Sequence, residues 1–201
     1  MLTLYHAPNS RSSRILTLIE EMGITDQVAI RPVTICRFDG SGCADPANPH
    51  PEGKVPLLDH DGTLISETAA IILYLTALFP DSGMAPKPGD PRRGDYLTWL
   101  FWYGANMEPA LIAARSGLSH PMFTATWREP AALAARIGTA LRHSPWLLGD
   151  GYSAADLLIH SPYAWFPEAT PEDPVIRDWV ARCMDRPAVA AMKSRDAALI
   201  G

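Results

Sequence analysis

Residues 54–68 read Lys-Val-Pro-Leu-Leu-Asp-His-Asp-Gly-Thr-Leu-Ile-Ser-Glu-Thr, and this stretch decides the fold. Two apolar runs, Val55–Leu58 and Thr63–Ile65, flank Asp59-His60-Asp61-Gly62. An Asp-Gly pair between such runs supplies the positive-φ positions of a tight turn, so the stretch is a β-hairpin. Ser66 follows where a helix N-cap belongs, and Ile71, Leu75 and Leu78 repeat at i, i+4 and i+7 until Pro80. Upstream, residues 40–51 are rich in Gly, Asp, Asn and Pro and form a loop with room for one irregular helical turn. Val28–Ile35 is β-branched and strand-like, with Pro32 restricting it to an edge or a bulge. Before it, Ile15, Leu18, Ile19 and Met22 share one helical face stopped by Gly23, and Leu2–His6 is a short strand. The first eighty residues are therefore β-α-β, an irregular turn of helix, then β-β-α.

Residues 81–91 hold Gly83, Pro86, Pro88, Gly89 and Pro91, a composition that suits a connector and not a helix. Beyond it strand signals vanish. Helical patterns cover 96–116, 131–142, 154–160 and 175–186, so the division is 1–80, a linker at 81–91, and an all-helical domain over 92–201. On the first long helix, Leu97, Leu100, Phe101 and Gly104 make a core stripe, leaving Tyr103 and Met107 on another face.

Charge and cysteine usage exclude several functions. With 17 Lys plus Arg against 22 Asp plus Glu, the chain carries −5 and shows no basic cluster to hold phosphates, so nucleic acid is not its partner. The apolar run from Ala69 to Phe79 is about half the length a bilayer requires, and the first residues lack a secretory pattern, so a cytoplasmic protein without membrane attachment is expected. Cys36, Cys43 and Cys183 are odd in number and lack Cys-x-x-Cys spacing, which disfavours a disulfide framework or a zinc site. His60, between Asp59 and Asp61, sits at a hairpin tip and reads as a solvated turn; no metal is expected.

Two short motifs carry candidate chemistry. Val55-Pro56 precedes a hairpin strand, where a proline fits either a cis peptide beside a ligand or an ordinary strand edge. Ser66-Glu67-Thr68 opens a helix, where unpaired N–H groups and a positive dipole end favour an anion while Glu67 favours a cation. Together they suit a zwitterion, and a well-capped helix with a first-turn acid explains the same residues.

The order of strand, Ser-rich helix start, Val-Pro before a hairpin, Ser-Glu-Thr at the next helix, Pro-rich linker and helical half resembles the cytosolic glutathione transferase family over essentially the whole chain. The resemblance implies a thioredoxin-like first domain that binds glutathione, as cosubstrate and without a metal, followed by a bundle that contributes a hydrophobic cosubstrate pocket. It implies that the Val55 backbone pairs with the cysteinyl moiety, that Pro56 is cis, that Glu67 and Thr68 hold the γ-glutamyl end, and that Lys54 and His50 reach the glycyl carboxylate. Gly151–Asp156 resembles the family's structural capping signature, with Ser153 as cap. Among Ser10, Ser12 and Ser13, matching Pro8 and Arg14 to serine-type members puts Ser10 in the catalytic place; Asn9, Ser10 and Ser12 each also fit a plain cap. Tyr103 and Met107 are the pocket candidates. No cysteine stands near the first helix start, so conjugation or isomerisation is favoured over thiol transfer, and conjugation to a small hydrophobic electrophile is the expected reaction. A homodimer is also implied, and a non-catalytic binder of glutathione or a hydrophobic ligand is the alternative.

Overall fold

A computed structural model describes residues 1–200. Four strands, β1 (Leu2–His6), β2 (Val28–Pro32), β3 (Leu57–His60) and β4 (Thr63–Ser66), form one sheet in the order β2-β1-β3-β4. β1 runs parallel to β2, with Leu2 opposite Val28, and antiparallel to β3, with Tyr5 opposite Leu57. The parallel pair needs a crossover, which α1 (Ser13–Glu21) supplies. Its Ile15, Leu16, Leu18 and Ile19 are buried. It ends in a Schellman motif: Gly23, at φ 65°, donates to Glu20 O, and Ile24 donates to Ile19 O at 3.2 Å. The hairpin of β3 and β4 closes through Asp61 and Gly62, both at positive φ as the two-residue turn requires. α2 (Thr68–Leu78) follows, burying Ile71, Ile72 and Leu75.

Three details differ from the sequence reading of this region. Between Pro32 and Leu57 no helical turn forms; the loop is held by side-chain-to-backbone turns such as Asp45 accepting from Ala47 N–H and Asn48 accepting from His50 N–H. The N-cap of α2 is Glu67, because Ser66 is still paired in β4. His60 is half-buried, with Nδ1 2.6 Å from the Tyr74 hydroxyl.

The second unit spans Gly83–Arg186 and is helical. It contains α3 (Arg93–Trp102), α4 (Glu108–Arg115), α5 (Pro121–Trp127), α6 (Pro130–Leu141), α7 (Ala154–Trp165) and α8 (Pro174–Met184). Tyr103–Met107 joins α3 to α4 as a wide π turn. Pro109, in the first turn of α4, has no N–H for an ordinary helical bond, which explains the widening there. The core stripe is Tyr96, Trp99, Leu100, Tyr103, Met107 and Ala110, whereas Phe101 is 58% exposed and Gly104 is exposed. The expected stripe was thus rotated by one position, since 96, 100, 103, 107 and 110 keep the helical period over more turns.

The last helix, α9 (Pro187–Ile200), packs on α1 and belongs with residues 1–82, not with the helical unit assigned to it from sequence. No helix among the described residues is long and apolar enough to cross a membrane.

Candidate active site

The end of β1 and the start of α1 are joined by Ala7–Ser12, whose hydroxyls are turned inward. Ser10, 7% exposed, donates from Oγ to the Ala7 carbonyl at 2.7 Å and lies 2.7 Å from Ser12 Oγ. The Ser12 N–H donates to Ser10 Oγ at 3.2 Å. Ser12, fully buried, accepts from the Ala7 N–H and lies 2.8 Å from Nδ1 of His6. Ser12 occupies the N-cap position of α1, but its side chain makes no capping bond there. The two hydroxyls are committed to Ala7, to each other and to His6, so neither is a simple helix cap.

A carboxylate from the far end of the chain grips this loop. Asp196 on α9 accepts at Oδ2 from the Asn9 N–H at 2.8 Å and from the Ser13 hydroxyl at 2.7 Å. Its Oδ1 faces His6 Nε2 at 3.0 Å. Both atoms are buried and neither makes a hydrogen bond of regular geometry among the described residues, so the 3.0 Å approach is an electrostatic contact between them. Burial opposes ionisation of Asp196, but donors at His6, Ser13 and Asn9 outweigh it and hold the carboxyl below its ordinary range. The grip also fixes Asn9 at φ 51°, a conformation Asn tolerates better than most residues. Arg37 completes the clamp by donating to the Pro8 carbonyl at 2.7 Å and the Asn9 carbonyl at 3.0 Å.

Sheet register brings the other motifs to the same end. Leu57 lies opposite Tyr5 on one side and Ser66 on the other, so Ala7–Ser10, Val55–Pro56 and Ser66–Thr68 all leave the sheet together. The Val55–Pro56 peptide is cis. Val55 is buried in one apolar cluster with Tyr5, Ala7, Val33 and Leu57. Just upstream, buried Asn48 donates to the Lys54 carbonyl at 3.1 Å, and His50 Nδ1 accepts from the Glu52 N–H. Lys54 and His50 therefore share one knitted loop, with the exposed Lys54 ammonium paired to Glu52. Glu67 is exposed and holds φ 70°, and α2 begins without a side-chain cap, leaving its first N–H groups for an acceptor from outside. Among the described residues, no group of three or more His, Cys, Asp or Glu side chains comes together as a metal site would.

Residues 4–83 match the model of the glutathione S-transferase N-terminal domain. A glutathione transferase from Methylococcus capsulatus has a crystal structure with TM-score 0.78 at 25% identity, covering 98% of this chain and 99% of that one. The N-terminal part of the chain thus carries a glutathione S-transferase N-terminal domain, and the fold of the whole chain is that of the glutathione transferases. Relatives in sequence carry a different name: the disulfide-bond oxidoreductase YfcG of Escherichia coli is 26% identical over 210 residues, covering 94% of this chain and 92% of its own. A sphingomonad glutathione S-transferase complexed with glutathione shares the fold, with TM-score 0.76 at 22% identity over 97% of this chain and 98% of that one.

In this chain the helical unit is organised by Asp156. It accepts from the Ser153 N–H and hydroxyl, the Leu147 N–H and the Trp179 indole N–H at 2.9 to 3.0 Å, and Ser153 completes the capping box of α7. Complete burial nonetheless pushes its carboxyl above the ordinary range. Tyr103 and Met107 are buried on the core stripe, with the Tyr103 hydroxyl donating to Glu108 at 2.9 Å. An apolar hollow of about 300 Å³ in this unit is lined instead by residues including Ile112, Leu118, Phe123 and Trp127, with Glu108 at its edge.

Sequence reading missed His6, Arg37 and Asp196. Nothing in local spacing marks Asp196, which is 187 positions from its partner Asn9. His6 carried one signal, a polar side chain at the end of a strand with apolar neighbours, but its partners lie on other elements.

Proposed function

We propose that the protein conjugates the thiolate of glutathione to a small hydrophobic electrophile, with Ser10 as the hydrogen-bond donor to sulfur. The observation that carries this reading is the convergence at one sheet end of a serine hydroxyl at the start of α1, the Val55 backbone and an uncapped helix start beside Glu67. In the proposal Val55 pairs with the cysteinyl backbone, Pro56 keeps that segment at the sheet edge, Glu67 and Thr68 take the γ-glutamyl end, and Lys54 and His50 take the glycyl carboxylate. Tyr103 and Met107, being buried, bear on the electrophile only through the face they support.

Magnitudes favour the serine. Lowering a thiol pKa by two units requires about 2.7 kcal/mol. A hydrogen bond to a charged group contributes about 1.5 to 3 kcal/mol and the helix start about 0.3 to 1, which together suffice. Thiolate formation and placement beside an electrophile then account for the reaction. Family relatives complexed with glutathione support the choice of thiol, while the serine at the helix start, where a thiol-exchanging enzyme needs a cysteine, supports conjugation over disulfide reduction. The homodimer and a cytoplasmic setting belong to the same reading.

Retention on immobilised glutathione followed by a conjugation assay on a panel of electrophiles tests it. Retention with turnover is expected. Binding without turnover identifies a ligand-binding protein of the same fold, and turnover confined to glutathionyl disulfides identifies an oxidoreductase.

A further inference from the structure

Four side chains lie in line from Ser10, at the site, into the interior: Ser10 Oγ is hydrogen-bonded to Ser12 Oγ at 2.7 Å and Ser12 Oγ to His6 Nδ1 at 2.8 Å, and His6 Nε2 is in charge contact with Asp196 Oδ1 at 3.0 Å. We propose that this line is a proton relay, in which His6, oriented by Asp196, receives the proton that glutathione's thiol gives up. The proposal rests on Ser10 being the partner of the sulfur. It adds a destination for the proton, which a donor hydroxyl alone does not provide.

The proton inventory follows from the atoms present. A carboxylate has no hydrogen to give, so the His6 nitrogen facing Asp196 carries one and Nδ1 of the neutral ring is an acceptor. Ser12 Oγ already accepts from the Ala7 N–H, so its own hydrogen goes to Nδ1. Ser10 then donates toward Ser12 or the Ala7 carbonyl. When a thiol arrives, its S–H bond breaks as the hydrogen passes to Ser10 Oγ. The former Ser10 hydrogen passes to Ser12, and the former Ser12 hydrogen to Nδ1. Nothing is oxidised or reduced. The thiol has become a thiolate, the imidazole an imidazolium against the Asp196 carboxylate, and Ser10 ends with its O–H aimed at sulfur. The Ala7 carbonyl keeps a donor, since Ser12 Oγ lies 3.2 Å from it.

Of the ionisable groups on the elements around His6, Arg195, Arg31, Arg37 and Arg14 have other partners and Lys193 of α9 is exposed. Arg195 of α9 pairs with Glu20 of α1 at 2.6 Å, Arg31 of β2 lies over the Tyr5 ring, and Arg37 holds the Pro8 and Asn9 carbonyls. Arg14 of α1 is buried among these helices and engaged. Asp196 is the ion paired directly with the ring. It holds its charge because the donors around it offset burial, as described above.

Glutathione is titrated into the full chain at neutral pH by calorimetry in buffers of different ionisation enthalpy, with thiolate absorbance recorded in parallel. The relay predicts thiolate absorbance with no proton released to buffer. Asp196→Asn keeps an oxygen for Asn9 and Ser13 but turns an N–H toward Nε2. That reverses the tautomer and leaves Ser12 facing Nδ1–H, so the thiolate fraction and kcat fall about tenfold or more at neutral pH and return at alkaline pH. The glutathione KM stays within about threefold, since the residue does not touch the ligand. One proton released per glutathione bound by the native chain overturns the relay and leaves the conjugation reading standing. So does binding without a thiolate signal, or an Asp196→Asn variant with native thiolate content. Absence of binding heat in every buffer overturns the conjugation reading itself, and the relay with it.

Discussion

Each compact unit of this protein buries one carboxylate among several donors, and the two have opposite characters. Asp156 in the helical unit accepts from amides, a hydroxyl and an indole, none of which titrates in the neutral range, and burial raises its carboxyl above the ordinary range. Asp196, in the first unit, has similar donors at Asn9 and Ser13 plus an imidazole, and its carboxyl is held low. The number of hydrogen bonds is therefore a poor guide to the role of a buried acid. What separates structural from chemical use is whether one partner can exchange a proton.

The largest expected effect tests the structural half of that contrast. Asp156→Ala leaves the Leu147 N–H, the Trp179 indole and the start of α7 without their acceptor inside a closed core, and should cost about 3 to 5 kcal/mol of stability. Urea unfolding measures it. A loss below about 1 kcal/mol would mean that water or a neighbour replaces the acid and that the contrast with Asp196 is not structural against chemical.

Next in size is the effect at the sulfur. Ser10→Ala removes the hydroxyl while sparing Ser12 and its bond to His6, and should lower kcat at neutral pH by about 30- to 100-fold, the equivalent of a charge-assisted hydrogen bond. The glutathione KM should change little, and the loss should shrink as alkaline pH ionises the thiol unaided. Full activity with an unchanged pH profile would move the role to Ser12, Ser13 or a backbone donor.

Acid unfolding sharpens the comparison more gently. A carboxyl depressed in the fold contributes stability that is present above its unfolded value, about 3.9, and is lost as pH falls through the folded value. Asp196 is of this kind, so Asp196→Asn should flatten the acid limb of the stability curve. A raised carboxyl acts in the reverse sense: its contribution is fullest below the unfolded value and is lost as pH rises through the folded one. Asp156→Asn should therefore steepen the loss of stability on acidification relative to the native chain. Urea midpoints from about pH 3 to 7 give the two slopes, and slopes of the same sign would dissolve the contrast.

Legibility follows the same division. The hairpin was readable because Asp61-Gly62 sets its own turn, and the capping box because Ser153 and Asp156 stand three positions apart. Both are local chemistry. The convergence of Ser10, Val55 and Glu67 followed from the order of motifs. The residues behind Ser10 did not, since Asp196 reaches Asn9 across 187 positions and α9 carries no strong apolar stripe to say which unit it would cover. The stripe on α3 is ambiguous in sequence because so short a stretch tolerates either rotation, which the following turn around Pro109 resolves.

Glu67 offers the smallest effect and the clearest separation of stability from binding. A non-glycine residue at φ 70° carries strain of about 1 to 3 kcal/mol, and here it points an exposed carboxylate out from the sheet end that carries Ser10. Glu67→Gly relieves the strain but frees the unfolded chain, for a net gain of about 1 kcal/mol. Glu67→Ala keeps the strain and gains nothing. Both remove the carboxylate, so both should weaken glutathione binding by about tenfold, the value of one charge-assisted hydrogen bond. Calorimetric affinity and urea midpoints on the pair decide it. If Gly stabilises while both variants bind as the native chain does, the conformation is mere strain and the γ-glutamyl end is held elsewhere. If both lose affinity equally and only Gly gains stability, the strain is what presents the carboxylate.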